Sequence, residues 1–226
     1  MAVVPAMSEG GPIVFVIDDD PSVREGLDSL FRSIKLTAQT FGTAEEFLRF
    51  KRPDAPGCIV LDVRLPGLNG LDFHDELVES NIDLPVVFIT GHGDVTMSVR
   101  ALKAGAVDFL IKPFRHQDLI DAINSAIERH RLRRKVEATA LELSNRFALL
   151  TSRERQVMLE VVGGRPNKQI AARLKISEFT VKVHRSHLMH KMKARTLVDL
   201  VRMADKLQPR DRVAARRLQR SNGAPV

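Results

Sequence analysis

The sequence predicts an α/β unit built on a parallel sheet, followed by an all-α unit. Short β-rich apolar runs alternate with amphipathic segments from Ile13 to about Arg115, and after Thr151 the pattern is helical to about Leu207. Charge divides the chain in the same way: residues 1–125 hold 11 Lys and Arg against 19 Asp and Glu, net −8, whereas residues 126–226 hold 24 against 9, net +15. At 226 residues there is room for two modest domains. An acidic front joined to a basic back favours a regulatory or catalytic first half and a polyanion-binding second half, with nucleic acid as the leading polyanion.

Strands are expected at Ile13–Asp18, Leu36–Phe41, Gly57–Asp62, Pro85–Thr90 and Val107–Ile111, and helices near Ser22–Ser33, Ala44–Phe50, Gly70–Glu79 and Val95–Ala104. The first helix carries Val23, Leu27, Leu30, Phe31 and Ile34 at helical spacing, with Ser22 as its expected cap. Gly105 suits a left-handed residue after the fourth helix. The first, third and fourth strands are nearly unbroken apolar runs, as in a parallel sheet covered on both faces. A fifth helix starts near Gln117, with Ile120, Ile123 and Ile127 as its apolar positions. It is expected to continue through Leu132, Val136 and Leu143 as a helical linker, either a solvated spacer or a helix that pairs with a second copy.

Composition excludes several classes. No run of about 18 apolar residues is present, the N-terminus lacks a secretory pattern, and the single cysteine, Cys58, lies in an apolar run where a buried hydrophobe is expected. A soluble cytoplasmic protein is the expectation. With 5% aromatic residues and neither Trp nor Tyr, stacking on bases or sugars has little to work with.

Strands of a parallel sheet share one carboxyl edge, where ligands bind. That edge receives Asp18, Asp19 and Asp20 after the first strand, Asp62 after the third, Thr90 after the fourth and Lys112 after the fifth. Taken alone, an aspartate triplet is commonly loop solubility or helix capping. That explanation weakens once Asp62, Thr90 and Lys112 must also reach the same edge. Carboxylates so close repel, a divalent cation relieves the conflict, and hard oxygen donors too few for a full cage suit Mg²⁺ better than Zn²⁺.

The stretches "VIDDDPSVR", "CIVLDVRLPGLNGLDF", "PVVFITGHGD" and "ALKAGAVDFLIKPF", in this order, resemble the receiver domain of bacterial two-component response regulators over about residues 12–125. The resemblance implies a flavodoxin-like five-stranded parallel sheet of order 2-1-3-4-5. It implies that Asp62 accepts a phosphoryl group from a sensor histidine kinase. Mg²⁺ would be held by Asp19, Asp62 and the backbone carbonyl of Arg64, with Asp18 acting largely through water. Lys112 would pair with phosphoryl oxygens and precede a cis Pro113, and Thr90 and Phe109 would form a switch pair. Such a domain catalyses only its own phosphorylation and dephosphorylation, so no separate enzyme activity is expected.

In the basic half, Asn167–Leu174 and Ser177 to about Met192 read as two helices about a short turn, with Ala171, Ile176 and Val181 at their crossing. "LTSRE", "NKQIA" and "TVKVHRSHLMHKM" resemble the LuxR-type helix-turn-helix output domain of FixJ/NarL regulators over about residues 147–207. Lys175 stands in the turn where related sequences often carry glycine, and a left-handed lysine costs about 1 kcal/mol, so a slightly altered turn is expected. Ser177 is the expected cap of the recognition helix. Lys182, Val183, Arg185 and Ser186 face the major groove, and Lys168, Thr180, His184 and Lys191 are placed for phosphates. The N-termini at Asn167 and Ser177 add phosphate-binding dipoles. His184, His187 and His190 step by three along one helix and fan around it, which favours packing or DNA contact over a metal site.

The expected organisation is a disordered segment over 1–12, a receiver over 13–125, a helical linker over 126–146, a DNA-binding domain over 147–207 and a basic tail over 208–226. That tail is expected to be disordered, with phosphate contact as the alternative. Expected partners are a histidine kinase, paired DNA half-sites, RNA polymerase and a second copy of the chain. The copy would dock through the face of the fourth helix, fifth strand and fifth helix, and through the linker helix. A haloacid-dehalogenase-like phosphatase using Asp18 as nucleophile and Asp20 as acid is the rival reading, and it leaves Asp62 and the basic half unused.

Overall fold

The computed structural model describes residues 11–91 and 95–207. The expected disorder of residues 1–12, apart from Gly11 and Pro12, and the fate of the basic tail lie outside the described residues. The chain divides into two compact units between Arg134 and Lys135.

The first unit runs β1 (Ile13–Ile17), α1 (Pro21–Ser33), β2 (Thr37–Phe41), α2 (Ala44–Arg49), β3 (Gly57–Asp62), β4 (Arg64–Leu65), β5 (Leu68–Asn69), α3 (Gly70–Glu79), β6 (Val86–Thr90), α4 (Val95–Lys103), β7 (Asp108–Ile111) and the first part of α5 (His116–Ala148). Five strands form one parallel sheet in the order β2-β1-β3-β6-β7, which is the expected 2-1-3-4-5 when sheet strands alone are numbered. Side chains alternate across a strand, so each strand feeds both faces. Phe15, Ile17, Ile59, Leu61 and Phe88 pack with Phe47, Phe73 and Leu77 on one side. Val14, Val16, Val60, Val87 and Ile89 pack with Leu27 and Phe31 of α1 and with Leu119, Ile123 and Ile127 of α5 on the other. Two covered faces account for strands without polar alternation. Cys58 belongs to the second cluster, fully buried, and burial pushes its thiol up to about 12, as for an inert small hydrophobe.

Two local expectations are corrected, and one further element is found. Asp20, not Ser22, caps α1: its carboxylate accepts the Ser22 amide at 2.8 Å. Pro21 takes the first helical position, where its missing N–H costs nothing, so the residue before it becomes the cap. A two-residue hairpin, β4 with β5, turns through Gly67 at φ +78° between β3 and α3 and was not anticipated. The inward stripe of α5 is Leu119, Ala122, Ile123, Ala126, Ile127 and His130, so Leu119 rather than Ile120 leads it. Gly105 does take a left-handed conformation, φ +100°.

The second unit contains the end of α5, then α6 (Ser152–Val162), α7 (Asn167–Leu174), α8 (Glu178–Met192) and α9 (Leu197–Lys206). Thr151 and Glu154 form a reciprocal capping box that starts α6, and Thr196 with Asp199 does the same for α9. The core gathers Leu143 and Phe147 of α5 with Val157, Ile170, Val181, Leu188, Met192 and Leu200. The turn from α7 to α8 is closed by Lys175 itself. Lys175 adopts the left-handed conformation at φ 52°, and the amides of Lys175 and Ile176 donate to Ala172 and Ala171. This reciprocal pairing satisfies helix-end carbonyls and offsets the strain that glycine would have avoided.

Leu143 is buried, whereas Leu132 and Val136 on the same helix remain exposed. Among the described residues no helix is long and apolar enough to cross a membrane.

Candidate functional site

At the carboxyl edge of the sheet, β1 delivers Asp18, β3 ends in Asp62, β6 ends in Thr90, and Lys112 follows β7. Asp18 and Thr90 are fully buried and Asp62 nearly so, while Asp19 is exposed. Lys112 donates from Nζ to Asp18 Oδ2 and to Asp62 Oδ2, each at 2.7 Å. The remaining oxygens are also used: Asp18 Oδ1 accepts the Asp20 amide at 2.9 Å, and Asp62 Oδ1 accepts the Arg64 amide at 2.8 Å. These amides fix both carboxylates at the strand ends. The Lys112 amide donates to the Thr90 carbonyl at 2.7 Å, and the Lys112–Pro113 bond is cis.

Burial raises the Asp18 carboxyl above the usual carboxylate range; hydrogen bonds from Lys112 and Asp20 oppose this, and the Asp62 charge adds to the rise. Burial works against the Lys112 charge as well, but the hydrogen bonds to Asp18 and Asp62 prevail and hold its ammonium above the ordinary value. Asp18, Asp19 and Asp62 each offer a carboxylate oxygen, all within 4.8 Å of one another. Three carboxylates against one ammonium leave an excess of negative charge. With only hard oxygen donors present, the set fits a cation such as Mg²⁺.

Arg24 was missed from the sequence, although it closes the stretch "VIDDDPSVR". Its Nη1 donates to the carbonyls of Asp18 at 2.7 Å and Asp19 at 2.9 Å, holding the acidic loop from below. Asp20 is turned to its own helix, which removes the acid that the phosphatase reading needs. Phe109 lies half-buried on β7 opposite Phe88 in the register, with ring centroids 6.3 Å apart. Val99, Leu102 and Ile111 are exposed on α4 and β7.

In the second unit Val181, Leu188 and Met192 turn α8 inward. Ser177 caps it as expected, accepting the Thr180 amide at 3.0 Å, and its Oγ lies 2.8 Å from Thr180 Oγ1, so the Thr180 hydroxyl is engaged in the cap. Pro166 precedes α7 without any side-chain cap, leaving Asn167 as the first helical residue. Lys168, Lys182 and Ser186 are exposed; Val183, His184 and Arg185 are half-buried. Arg185 Nη1 donates to Asn167 Oδ1 at 3.2 Å, linking α8 to the start of α7. Lys191 differs from the rest. Its Nζ donates to the buried Glu154 Oε2 at 2.7 Å, which ties α8 to α6 and draws its charge inward. His187 also approaches Glu154, at 3.8 Å. Burial pushes the Glu154 carboxyl up, yet the Lys191 and Thr151 hydrogen bonds hold it below the usual range.

Residues 14–124 match the response regulator receiver domain, and residues 148–204 match the bacterial regulatory proteins of the luxR family. Nodulation protein W of Bradyrhizobium diazoefficiens is 53% identical over 195 residues, covering 86% of each chain. Transcriptional regulatory protein FixJ of the same organism is 41% identical over 191 residues, 84% of this chain and 93% of its own. Among solved structures, the response regulator StyR superposes with a TM-score of 0.82 at 47% identity, over 87% of this chain and all of that one. Fold, ordered motifs and coverage agree, and the chain belongs to the two-component response regulators of the FixJ type, with a receiver domain and a LuxR-type DNA-binding domain.

Proposed function

We propose that Asp62 accepts a phosphoryl group from a sensor histidine kinase and that this event controls DNA binding by α8. The observation that carries the reading is Lys112, held 2.7 Å from both Asp18 and Asp62 at the sheet edge. An Asp62 carboxylate oxygen attacks phosphorus as the bond to the kinase histidine nitrogen breaks; the N–P electron pair stays on the ring, whose other nitrogen carries a proton, leaving an acyl phosphate on Asp62 and a neutral imidazole. Lys112 transfers its hydrogen bonds from the carboxylates to the incoming phosphoryl oxygens. Asp19, Asp62 and the Arg64 carbonyl, with Asp18 through water, would hold Mg²⁺, which when bound supplies positive charge against the transferred oxygens. Thr90 then turns its hydroxyl toward the phosphoryl group and Phe109 rotates into the space released.

The receiver, 13–125, would thereby reshape the face of α4, β7 and α5, and the exposed Val99, Leu102 and Ile111 suit that face to pairing with a second copy. The linker, 126–146, exposes Leu132 and Val136 four residues apart, which suits it to the same pairing. Paired helix-turn-helix units, 147–207, would bind two half-sites and regulate transcription with RNA polymerase. Lys182, Val183, Arg185 and Ser186 would face the major groove, with Lys182 and Arg185 reaching guanine edges or phosphates; Lys168, Thr180, His184 and Lys191 would hold phosphates, with the helix N-termini. Lys191 is the weakest member of that set because Glu154 holds it. A DNA partner favours the cytoplasm as the place of work, and the only chemistry assigned is the domain's own phosphorylation and dephosphorylation.

The test incubates wild type and Asp62→Asn with an acyl-phosphate donor and Mg²⁺ and follows phosphate incorporation with molecular mass. Labelling confined to wild type, with a rise in mass, is the expected result. Equal labelling of both proteins would overturn the assignment of Asp62.

A further inference from the structure

Phe179 is the most exposed large apolar residue among the described residues, at 75%. A single exposed apolar side chain is ordinary and would carry nothing. Its position is not ordinary. It is the second residue of α8, in a turn fixed by Ser177, whose side chain holds the Thr180 amide and lies within hydrogen-bonding reach of the Thr180 hydroxyl. The helix advances roughly 100° per residue, so Phe179 lies about 200° from the buried Val181. Phe179, Lys182, Val183 and Ser186 follow the spacing i, i+3, i+4, i+7 and make one stripe, turned away from the core contacts of Val181, Leu188 and Met192.

We infer that Phe179 is a base-reading residue that packs against the C5-methyl group of a thymine in the major groove. The inference rests on the reading of α8 as the recognition helix, whose N-terminal residues are the ones that meet base edges. Lys182 is exposed on the same stripe, and Lys168 and the left-handed Lys175 are exposed on the helix pair, so the pair presents an apolar ring together with cations. An occupant must therefore combine negative charge with an apolar group. Major-groove DNA does so in one way, through thymine methyls between phosphate backbones. Val183, one turn further along, offers a smaller apolar contact on the same stripe. Glu178 lies about 100° around the helix and serves the positive N-terminus rather than this face.

The test uses the full chain, phosphorylated with an acyl-phosphate donor, as wild type, Phe179→Ala and Lys182→Ala. A random duplex library is selected by wild type. In the enriched duplex each thymine is then replaced singly by deoxyuridine, which removes only the methyl group. One replacement is expected to weaken wild-type binding about four- to fivefold, the effect of one methyl leaving an apolar contact. The same replacement should not weaken Phe179→Ala further, and the salt dependence of Phe179→Ala should equal that of wild type. Lys182→Ala should instead flatten the salt dependence. A wild-type motif bound equally well by Phe179→Ala, or the absence of any thymine whose methyl loss weakens wild type more than Phe179→Ala, overturns the role of Phe179 alone. A wild-type protein that enriches no motif overturns this role and the recognition-helix reading together.

Discussion

A Cβ at Gly70 would lie 2.4 Å from the Asp62 carbonyl oxygen and 3.0 Å from the Cα of Val63, both backbone atoms of the strand end that carries the proposed phosphoacceptor. Neither can yield without moving the segment from Asp62 to Arg64, whose amide holds the Asp62 carboxylate. Gly70→Ala is therefore expected to cost about 1–3 kcal/mol in a urea unfolding curve, as overpacking does. It should also lower phosphoryl incorporation at least about tenfold, because misplacement near 1 Å is enough to lose that much. Unchanged incorporation would separate Gly70 from the site. The convergence of Asp18, Asp62 and Lys112 was legible in the sequence because a parallel sheet brings its strand ends to one edge. The roles of Gly70 and Arg24 were not, since they depend on distances to backbone atoms. Asp20 could have been assigned to the cap from Pro21 alone, by noting that proline favours the first helical position.

At the level of elements, α5 is held to the far end of the sheet by His130. Its buried Nδ1 accepts the Gly57 amide at 2.9 Å, at the start of β3. Burial depresses the His130 pKa, the Gly57 backbone opposes this, the charges of Arg133 and Arg134 add to the depression, and Asp83 offsets part of it. Because the folded value lies below the unfolded one of about 6.5, the unfolded chain takes up the proton first as pH falls. The contribution is thus present above about pH 6.5 and is lost as pH falls through the folded value. His74 is depressed for the same first reason, burial, so a variant is needed to isolate His130. His130→Gln should show a shallower loss of unfolding free energy between about pH 7 and pH 5 than wild type. Identical slopes would contradict this role. The length of α5 was legible because no Gly or Pro interrupts it. Ile123 and Ile127 of its stripe were legible, but Leu119 and Ile120 are both apolar and only packing selects Leu119 to lead it. The hairpin of β4 and β5 escaped because two residues carry no period.

On the scale of the whole molecule, the net −8 of residues 1–125 and the net +15 of residues 126–226 divide the work. The acidic half gathers carboxylates whose repulsion a cation would relieve in the proposed phosphoryl transfer, and the basic half carries charge suited to a phosphate backbone. Both halves were legible from ordered motifs. The pairing of Lys191 with Glu154 was not, because two residues 37 positions apart in sequence give no local sign of contact. Phe179 was overlooked for a related reason: an apolar residue on a helix reads as core until the opposite face is seen to be filled. The central claim is that a change confined to Asp62 governs DNA binding about a hundred residues away in sequence. It is tested most directly by measuring the DNA affinity of wild type and Asp62→Asn, each with Mg²⁺, before and after addition of an acyl-phosphate donor. Tighter binding by wild type alone is the result expected. Equal tightening of both proteins, or of neither, would contradict it.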